Sequence, residues 1–264
     1  MKQWIERARQ WQQELERCRE HVPDLRTLTF VLTTVCLSIV WTVGMARWSG
    51  SDGKTAAALA MVQLFLYTAF VLRTRDAGIC RLLLFGLVFG IVELVADALC
   101  VYFTGTLDYS PSGSAMIWLS PWWMPFAWMI VTVQIGFLGF WIIQKVGILR
   151  GALLTGLIGA VNIPFYEEMA YHADWWQYLN CRMIAHTPLY IIVAELLIGL
   201  ALGPVAAAAY CAHTYRSAGV LGAIGGVSTI IGGLIGYGLL EIIVPALLGE
   251  PIPFFVRFFP QWAS

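Results

Sequence analysis

The chain has 264 residues, of which 59% are hydrophobic and only 12% charged, and its 16 basic and 16 acidic side chains leave no formal net charge. Soluble domains carry about one-quarter charged residues, and the mean hydropathy of +0.73 excludes an ordinary soluble domain. Without a basic surface, a Gly-rich phosphate loop or a nucleic-acid motif, we also expect no nucleic-acid partner. The composition predicts an all-α, polytopic integral membrane protein.

The first 27 residues place apolar side chains at helical spacing opposite arginine and glutamate. These apolar residues are Trp4, Ile5, Ala8, Trp11 and Leu15. The pattern predicts an amphipathic helix that lies on the membrane surface or on a partner protein, and a solvated coil is the alternative. Residues 1–27 are therefore expected to form a cytoplasmic segment ahead of the membrane domain.

Seven apolar runs follow, at about 28–46, 56–72, 81–103, 121–143, 149–165, 188–212 and 219–248. Each is near the roughly 20 residues that a helix needs to cross a bilayer. Twelve of the 16 lysines and arginines fall on the same side as the N-terminus in this arrangement. Because cytoplasmic loops retain positive charge, the N-terminus is expected in the cytoplasm. We expect a multi-pass protein of the bacterial inner membrane, with residues 28–248 as its transmembrane domain.

The last run is rich in glycine, with GxxxG spacing at 222/226 and again at 232/236. This spacing lets a second helix backbone approach closely, either within the chain or in a homodimer. Residues 249–264 then surround Arg257 with four phenylalanines and one tryptophan. Such a pattern is typical of an aromatic anchor at the membrane interface.

Four carboxyl groups fall inside the apolar runs: Glu93, Asp97, Glu195 and Glu241. In the predicted topology all four lie in the outer half of the membrane, and Glu93 and Asp97 share one helix face because they are four residues apart. Ionisable groups in a membrane are costly and usually functional, although a single one can simply bond to a neighbouring helix. We expect functional roles for Glu93, Asp97 and Glu195, and favour such a role less for Glu241.

Two long loops, 104–128 and 162–190, are predicted on the same outer side. They bring further polar residues to that interface: Glu167, Glu168, His172, Asp174 and His186. They also bring aromatic residues: Trp122, Trp123, Trp175, Trp176 and Tyr178. We predict an acidic cavity with aromatic walls at this end, while the alternative for the tryptophans is anchoring in the headgroup region.

A metal site is a weaker prediction from the same loop. Glu168 and His172 are four residues apart on a predicted helix, with Asp174 as a further candidate ligand and His186 able to complete the set. No HExxH or paired ExxH motif is present. We therefore favour the alternative that these are hydrogen-bonded interface residues.

Several pieces of the chain occur in a recognisable order between about residues 85 and 200. They are Glu93 in a span, Thr104-Gly105 followed by Tyr109, Pro121 to Trp128, and Pro164 to Glu168. This order resembles that of small polytopic carotenoid enzymes, namely heterodimeric-type lycopene cyclases and carotenoid 1,2-hydratases. The resemblance implies proton-initiated chemistry on a polyene, with no cofactor beyond a protonated carboxyl group.

The leading hypothesis is a membrane enzyme that cyclises or hydrates an isoprenoid, a carotenoid or another lipid by acid catalysis. The candidate catalytic residues are Glu93, Asp97, Glu167, Glu168 and Glu195. The candidate substrate-binding residues are Tyr109, Trp122, Trp123, Trp128, Tyr166, Trp175, Trp176 and His186. One alternative is a non-catalytic subunit of a larger membrane complex. A third, a pathway for ions or small molecules, lacks a polar trail that would lead from the carboxyl groups towards the cytoplasm.

Overall fold

The computed structural model describes residues 24–250 and confirms an all-α protein with seven helices long and apolar enough to cross a membrane. These helices are α1 (Leu25–Ala46), α2 (Gly53–Thr74), α3 (Ala77–Ala98), α4 (Met124–Val146), α5 (Ile148–His172), α6 (Leu189–Tyr210) and α7 (Tyr215–Tyr237). Helix α3 continues as a π-helical segment, Leu99–Thr104, and α7 continues through a second one, Gly238–Ile243, into the short α8 (Val244–Leu248). The predicted amphipathic helix and the aromatic C-terminal anchor lie mostly outside the described residues.

Acidic caps explain where the first three helices begin. The side chain of Asp24 accepts from the backbone N–H of Arg26, and that of Asp52 accepts from Lys54. Asp76 accepts from Ile79 at 3.0 Å. Each cap satisfies an N–H group that has no partner inside its helix, so polar capping residues mark the ends of these apolar spans.

Helix α5 is longer than the sequence predicts. The apolar run was expected to end near residue 165 and to be followed by a loop over 162–190, but the helix continues to His172. That expectation is wrong because Pro164 lies inside the helix instead of ending it, as membrane helices allow when neighbouring groups satisfy the freed backbone. Glu167, Glu168 and His172 therefore project from the last two turns of a helix.

Three short antiparallel strand pairs join the loops at one end of the bundle, called here the loop end. They are β1 (Leu107–Asp108) with β4 (Gln177–Tyr178), β2 (Met116–Ile117) with β3 (Ser120–Pro121), and β5 (Met183–Ile184) with β6 (Thr187–Pro188). The β1–β4 pair links two loops that are distant in sequence, and the backbone N–H of Leu179 extends it by donating to the carbonyl of Thr106 at 2.8 Å. The two loops therefore form one cap over the ends of α3 to α6.

The glycine pairs of α7 pack inside the bundle. A Cβ at Gly222 would lie 2.4 Å from the carbonyl oxygen of Phe85 in α3, and a Cβ at Gly236 would lie 2.4 Å from that of Tyr190 in α6. Large apolar side chains such as Phe65 and Val161 instead stay exposed on the helix surfaces, as contact with lipid tails requires. The chain is thus a multi-pass membrane protein whose GxxxG motifs bring its own helices together.

Candidate functional site

Three carboxyl groups line one cavity at the loop end of the bundle. Asp97 comes from the end of α3, Glu167 from the end of α5 and Glu195 from the second turn of α6. The space has a volume of about 90 Å³, and we call it the carboxylate cavity. Its walls include aromatic side chains: Tyr109, Trp128, Tyr166, Trp176 and Tyr178. The predicted acidic cavity with aromatic walls is therefore present in the structure.

Asp97 is held by two hydroxyl groups of the loop cap. The phenol of Tyr109 donates to Asp97 Oδ2 at 2.7 Å, and the hydroxyl of Ser120 donates to the same oxygen at 2.8 Å. Burial raises the pKa of Tyr109 well above its ordinary value, and the nearby Asp97 and Glu93 raise it further. Tyr109 therefore stays a neutral donor, and the two hydroxyl groups fix the position of the Asp97 carboxyl.

Glu93 lies one turn before Asp97 and does not line the cavity. Its side chain is almost completely buried, and no N–H or O–H donor of the described chain reaches its Oε2 atom. Glu93 and Asp97 are four residues apart in α3 and both are buried, so their carboxyl groups are neighbours on one helix face. Two neighbouring buried carboxyl groups repel each other when both are ionised, so we expect the pair to retain a proton.

Glu167 and Glu195 face the cavity in different ways. The indole N–H of Trp176 donates to Glu167 Oε2, and the phenol oxygen of Tyr178 lies 3.4 Å from Oε1. For Glu195, by contrast, residues 24–250 supply no hydrogen-bond donor. Gly159 of α5 lets the α6 backbone approach closely at this residue, because a Cβ there would lie 2.8 Å from the Glu195 carbonyl oxygen.

A second cavity adjoins the first and extends deeper between α1, α2, α4 and α5. It has a volume of about 120 Å³ and a mostly apolar lining, and we call it the apolar cleft. Ala127, Val131, Ile135, Asn162 and Tyr166 belong to the walls of both cavities. Gln134 follows Ala127 by seven positions in α4. At the rise of about 1.5 Å per residue in a helix, the cleft extends about 10 Å along the helix axis. The two spaces together form one elongated site.

The deep end of the apolar cleft is polar. The amide Nε2 of Gln63 donates to the Thr34 carbonyl and to Ser38 Oγ, both at 2.9 Å. Its Oε1 atom is buried and receives no donor from the described residues. Gln134 lines the same region and donates to Ser38 Oγ. An elongated ligand would therefore have carboxyl groups at one end and the amide side chains of Gln63 and Gln134 at the other.

The remaining predicted aromatic residues have other surroundings. Trp123 lines the apolar cleft and donates from its indole N–H to Ser114 Oγ at 3.1 Å. Trp175 is buried in the loop cap, where it donates to Thr55 Oγ1 at 2.8 Å. Trp122 is partly exposed at the surface. Only part of the predicted aromatic set therefore lies against the two cavities.

Glu168 points away from the carboxylate cavity and contacts two histidines. Its Oε1 atom lies 3.1 Å from His172 Nε2, and its Oε2 atom lies 2.8 Å from His186 Nδ1. Asp174, the third predicted metal ligand, is not part of this cluster and lines a neighbouring polar cavity. Glu241 lies elsewhere again and accepts the backbone N–H of Arg182 at 3.0 Å.

Sequence reasoning missed three polar residues of the site. Ser120 orients Asp97, while Asn162 lines both cavities and Gln63 lies at the deep end of the cleft. A signal existed for two of them, because Asn162 and Gln63 interrupt apolar runs as uncharged polar residues. Ser120 carried no signal, since only the fold brings its hydroxyl to α3.

The chain matches the family model DUF6989, a domain of unknown function, over residues 94–240. The match covers more than half of the chain, so the protein belongs to this family. It includes Asp97, Glu167 and Glu195 and begins one residue after Glu93. Searches of curated proteins and of solved structures found no significant match to this chain.

Proposed function

We propose that this protein is a membrane enzyme that cyclises or hydrates an unsaturated isoprenoid, such as a carotenoid, or another unsaturated lipid by acid catalysis. The observation that carries the proposal is the convergence of Asp97, Glu167 and Glu195 on one cavity that opens into an apolar cleft. A carboxyl proton would start the reaction, and no cofactor is needed for that step.

The surroundings of the carboxyl groups support this chemistry. Among the described residues, no lysine, arginine or histidine lines either cavity. An uncompensated carboxylate is expensive to bury in hydrocarbon, whereas a neutral carboxylic acid costs much less. The cluster is therefore expected to retain protons, which an acid catalyst needs.

The contacts support different proposed roles for the carboxyl groups. Glu195 has no fixed donor and faces the cavity, so we assign it the role of the acid that protonates the substrate. Asp97 accepts from Tyr109 and Ser120, contacts that favour its anionic form and suit it to remove a proton. Glu93 then acts as a positioning residue that exchanges a proton with Asp97.

The aromatic walls suit a positively charged intermediate. Proton addition to a carbon–carbon double bond leaves a carbocation, which the faces of Trp128, Tyr166 and Trp176 stabilise by cation–π attraction. Loss of a neighbouring C–H proton to a carboxylate completes a cyclisation, and addition of water followed by loss of its proton completes a hydration. The proton balance closes in both cases.

Deuterium incorporation tests the proposal directly. We would express the wild type in cells that supply acyclic polyenes, incubate the membranes in D₂O, and analyse the extracted lipids by mass spectrometry. A product with one new carbon-bound deuterium is expected from the wild type and none from Glu195→Gln. Glu241→Gln is the matched control, because Glu241 is buried but does not line either cavity.

Two results would overturn the proposal. One is product formation by Glu195→Gln at the wild-type rate. The other is a wild type that copurifies with other membrane chains and converts no supplied lipid, which would favour the non-catalytic subunit.

A further inference from the structure

We infer that Glu168, His172 and His186 bind one divalent transition-metal ion of the Zn²⁺ class at the loop end of the protein. One ligand atom from each residue lies within 4.8 Å of the other two. The inference does not rest on the proposed function, because none of these three residues lines the carboxylate cavity.

The three ligands come from two separate parts of the fold. Glu168 and His172 are four residues apart in the last turns of α5, so they share a helix face. His186 belongs to the turn between β5 and β6, where its backbone N–H also donates to Glu168 Oε2 at 3.2 Å. An ion held by all three would fasten this hairpin to the end of the helix.

The geometry needs only a small adjustment. Tetrahedral Zn²⁺ with bonds of about 2.0–2.1 Å requires ligand atoms about 3.3 Å apart. Glu168 Oε1 lies 3.1 Å from His172 Nε2, and the other carboxylate oxygen, Oε2, lies 2.8 Å from His186 Nδ1. One ligand atom of each residue is within 4.8 Å of the others, so on binding an ion the partly exposed His172 side chain would rotate to bring its nitrogen closer to that of His186.

Neighbouring groups prepare the cluster for a cation. The ring of Tyr171 stacks on His186 with centroids 3.5 Å apart and an angle of 9°, which fixes the plane of that imidazole. In residues 24–250 no lysine or arginine forms an ion pair with Glu168, and Arg182 pairs with Glu250 instead. With neutral imidazoles the cluster carries one negative charge, which a divalent ion complements.

Space for a further ligand lies beside His172. A polar cavity of about 220 Å³ lies against His172, with Asp174 and Gln177 in its wall. Two histidines and one carboxylate with access to water form the ligand set of open zinc sites. The cavity gives water room to occupy the fourth position and gives the ion a route of entry.

The bound ion would fix the position of a residue in the wall between two cavities. Trp176 lines the polar cavity on one side and the carboxylate cavity on the other, and it lies in the chain between His172 and His186. Fixing both ends of this segment would hold Trp176 against Glu167. A bound ion would therefore also stabilise the loop cap.

The test measures Zn²⁺ binding to the detergent-purified full chain after treatment with EDTA and desalting. When Zn²⁺ is added back, the wild type should bind one more equivalent than His172→Ala or His186→Ala. If the variants still bind that equivalent, their affinity should be roughly tenfold or more weaker. His213→Ala is the matched control, since His213 is exposed and lies between α6 and α7 at the other end of the bundle. Gel filtration confirms that each variant remains folded.

A second readout separates a site from adventitious binding. Zn²⁺ should raise the thermal unfolding temperature of the wild type and of His213→Ala, and should not raise that of Glu168→Gln. Equal Zn²⁺ stoichiometry and affinity in the wild type, His172→Ala and His186→Ala would overturn the inference. A Zn²⁺-dependent shift that survives in Glu168→Gln would also overturn it.

Discussion

The phenol of Tyr109 donates a hydrogen bond to Asp97 Oδ2 across 2.7 Å. Asp97 lies near the end of a membrane helix, whereas Tyr109 belongs to the loop cap, just after β1. The contact therefore joins the cap directly to the carboxyl groups of the bundle. It also fixes the orientation of the cavity carboxyl that lies one helical turn from Glu93.

Replacing Tyr109 with phenylalanine removes this donor and keeps the ring. Asp97 then retains only the hydroxyl of Ser120, so we expect a loss of about 1–3 kcal/mol in unfolding free energy and about tenfold slower lipid turnover. Thermal unfolding and product analysis measure the two effects. Tyr102→Phe, at a residue with a 65% exposed side chain, should change neither. Equal turnover in Tyr109→Phe and the wild type would contradict the role of this contact.

The glycines of α7 allow a matched test of helix packing. In Gly222→Ala the new Cβ would lie 2.4 Å from a backbone oxygen of α3, so the helices must separate, at a cost of about 1–3 kcal/mol. A Cβ at Gly233 would meet no atom within 4 Å, and Gly233→Ala should be neutral or slightly stabilising. Unfolding of both variants in mixed detergent micelles gives the comparison. A neutral Gly222→Ala would show that this helix contact is loose.

How much of this architecture the sequence predicts depends on the range of the interactions. The seven spans follow from apolar length alone, and the common face of Glu93 and Asp97 follows from helical spacing. The end of α5 does not, because the apolar run stops near residue 165, whereas the helix continues past Pro164 to His172.

The site shows the same limit. Adjacent residues of a helix point about 100° apart, so Glu167 and Glu168 cannot both face the cavity, and spacing does not say which one does. The approach of His186 to Glu168 depends on the β5–β6 hairpin. Such long-range contacts leave no periodic signal in the chain.

The surroundings of Asp108 lead us to predict that the stability of the loop cap depends on pH. Partial burial raises its pKa, but hydrogen bonds from Gln177 and Ser110 outweigh this effect and lower the pKa below the ordinary value. A lowered pKa in the folded state means that Asp108 stabilises the protein above its unfolded pKa of about 3.9. This contribution is lost as the pH falls through the lower folded value.

We therefore expect the wild type to unfold at a higher temperature than Asp108→Asn near pH 6, and the difference to shrink below about pH 4. Thermal unfolding of both proteins from pH 6 to pH 3 measures it. Asp52→Asn provides the comparison, because Asp52 is an acidic residue at the same end of the bundle that caps helix α2 and is not part of the β1–β4 pair. A difference that stays constant over this pH range would show that the Asp108 charge does not hold the β1–β4 pair.

Glu93 gives the test of proton sharing inside the bundle. Glu93→Gln keeps the shape of the side chain, and its amide N–H can still donate to Asp97, but the transferable proton is gone. We expect the variant to fold and to turn over lipid about tenfold more slowly, because Asp97 must then exchange its proton through the cavity. Glu93→Ala should also leave a hole beside Asp97 and cost about 1–3 kcal/mol of unfolding free energy. Product formation by Glu93→Gln at the wild-type rate would exclude Glu93 from proton transfer, and a folded Glu93→Gln that loses a copurifying chain would favour a subunit of a larger complex.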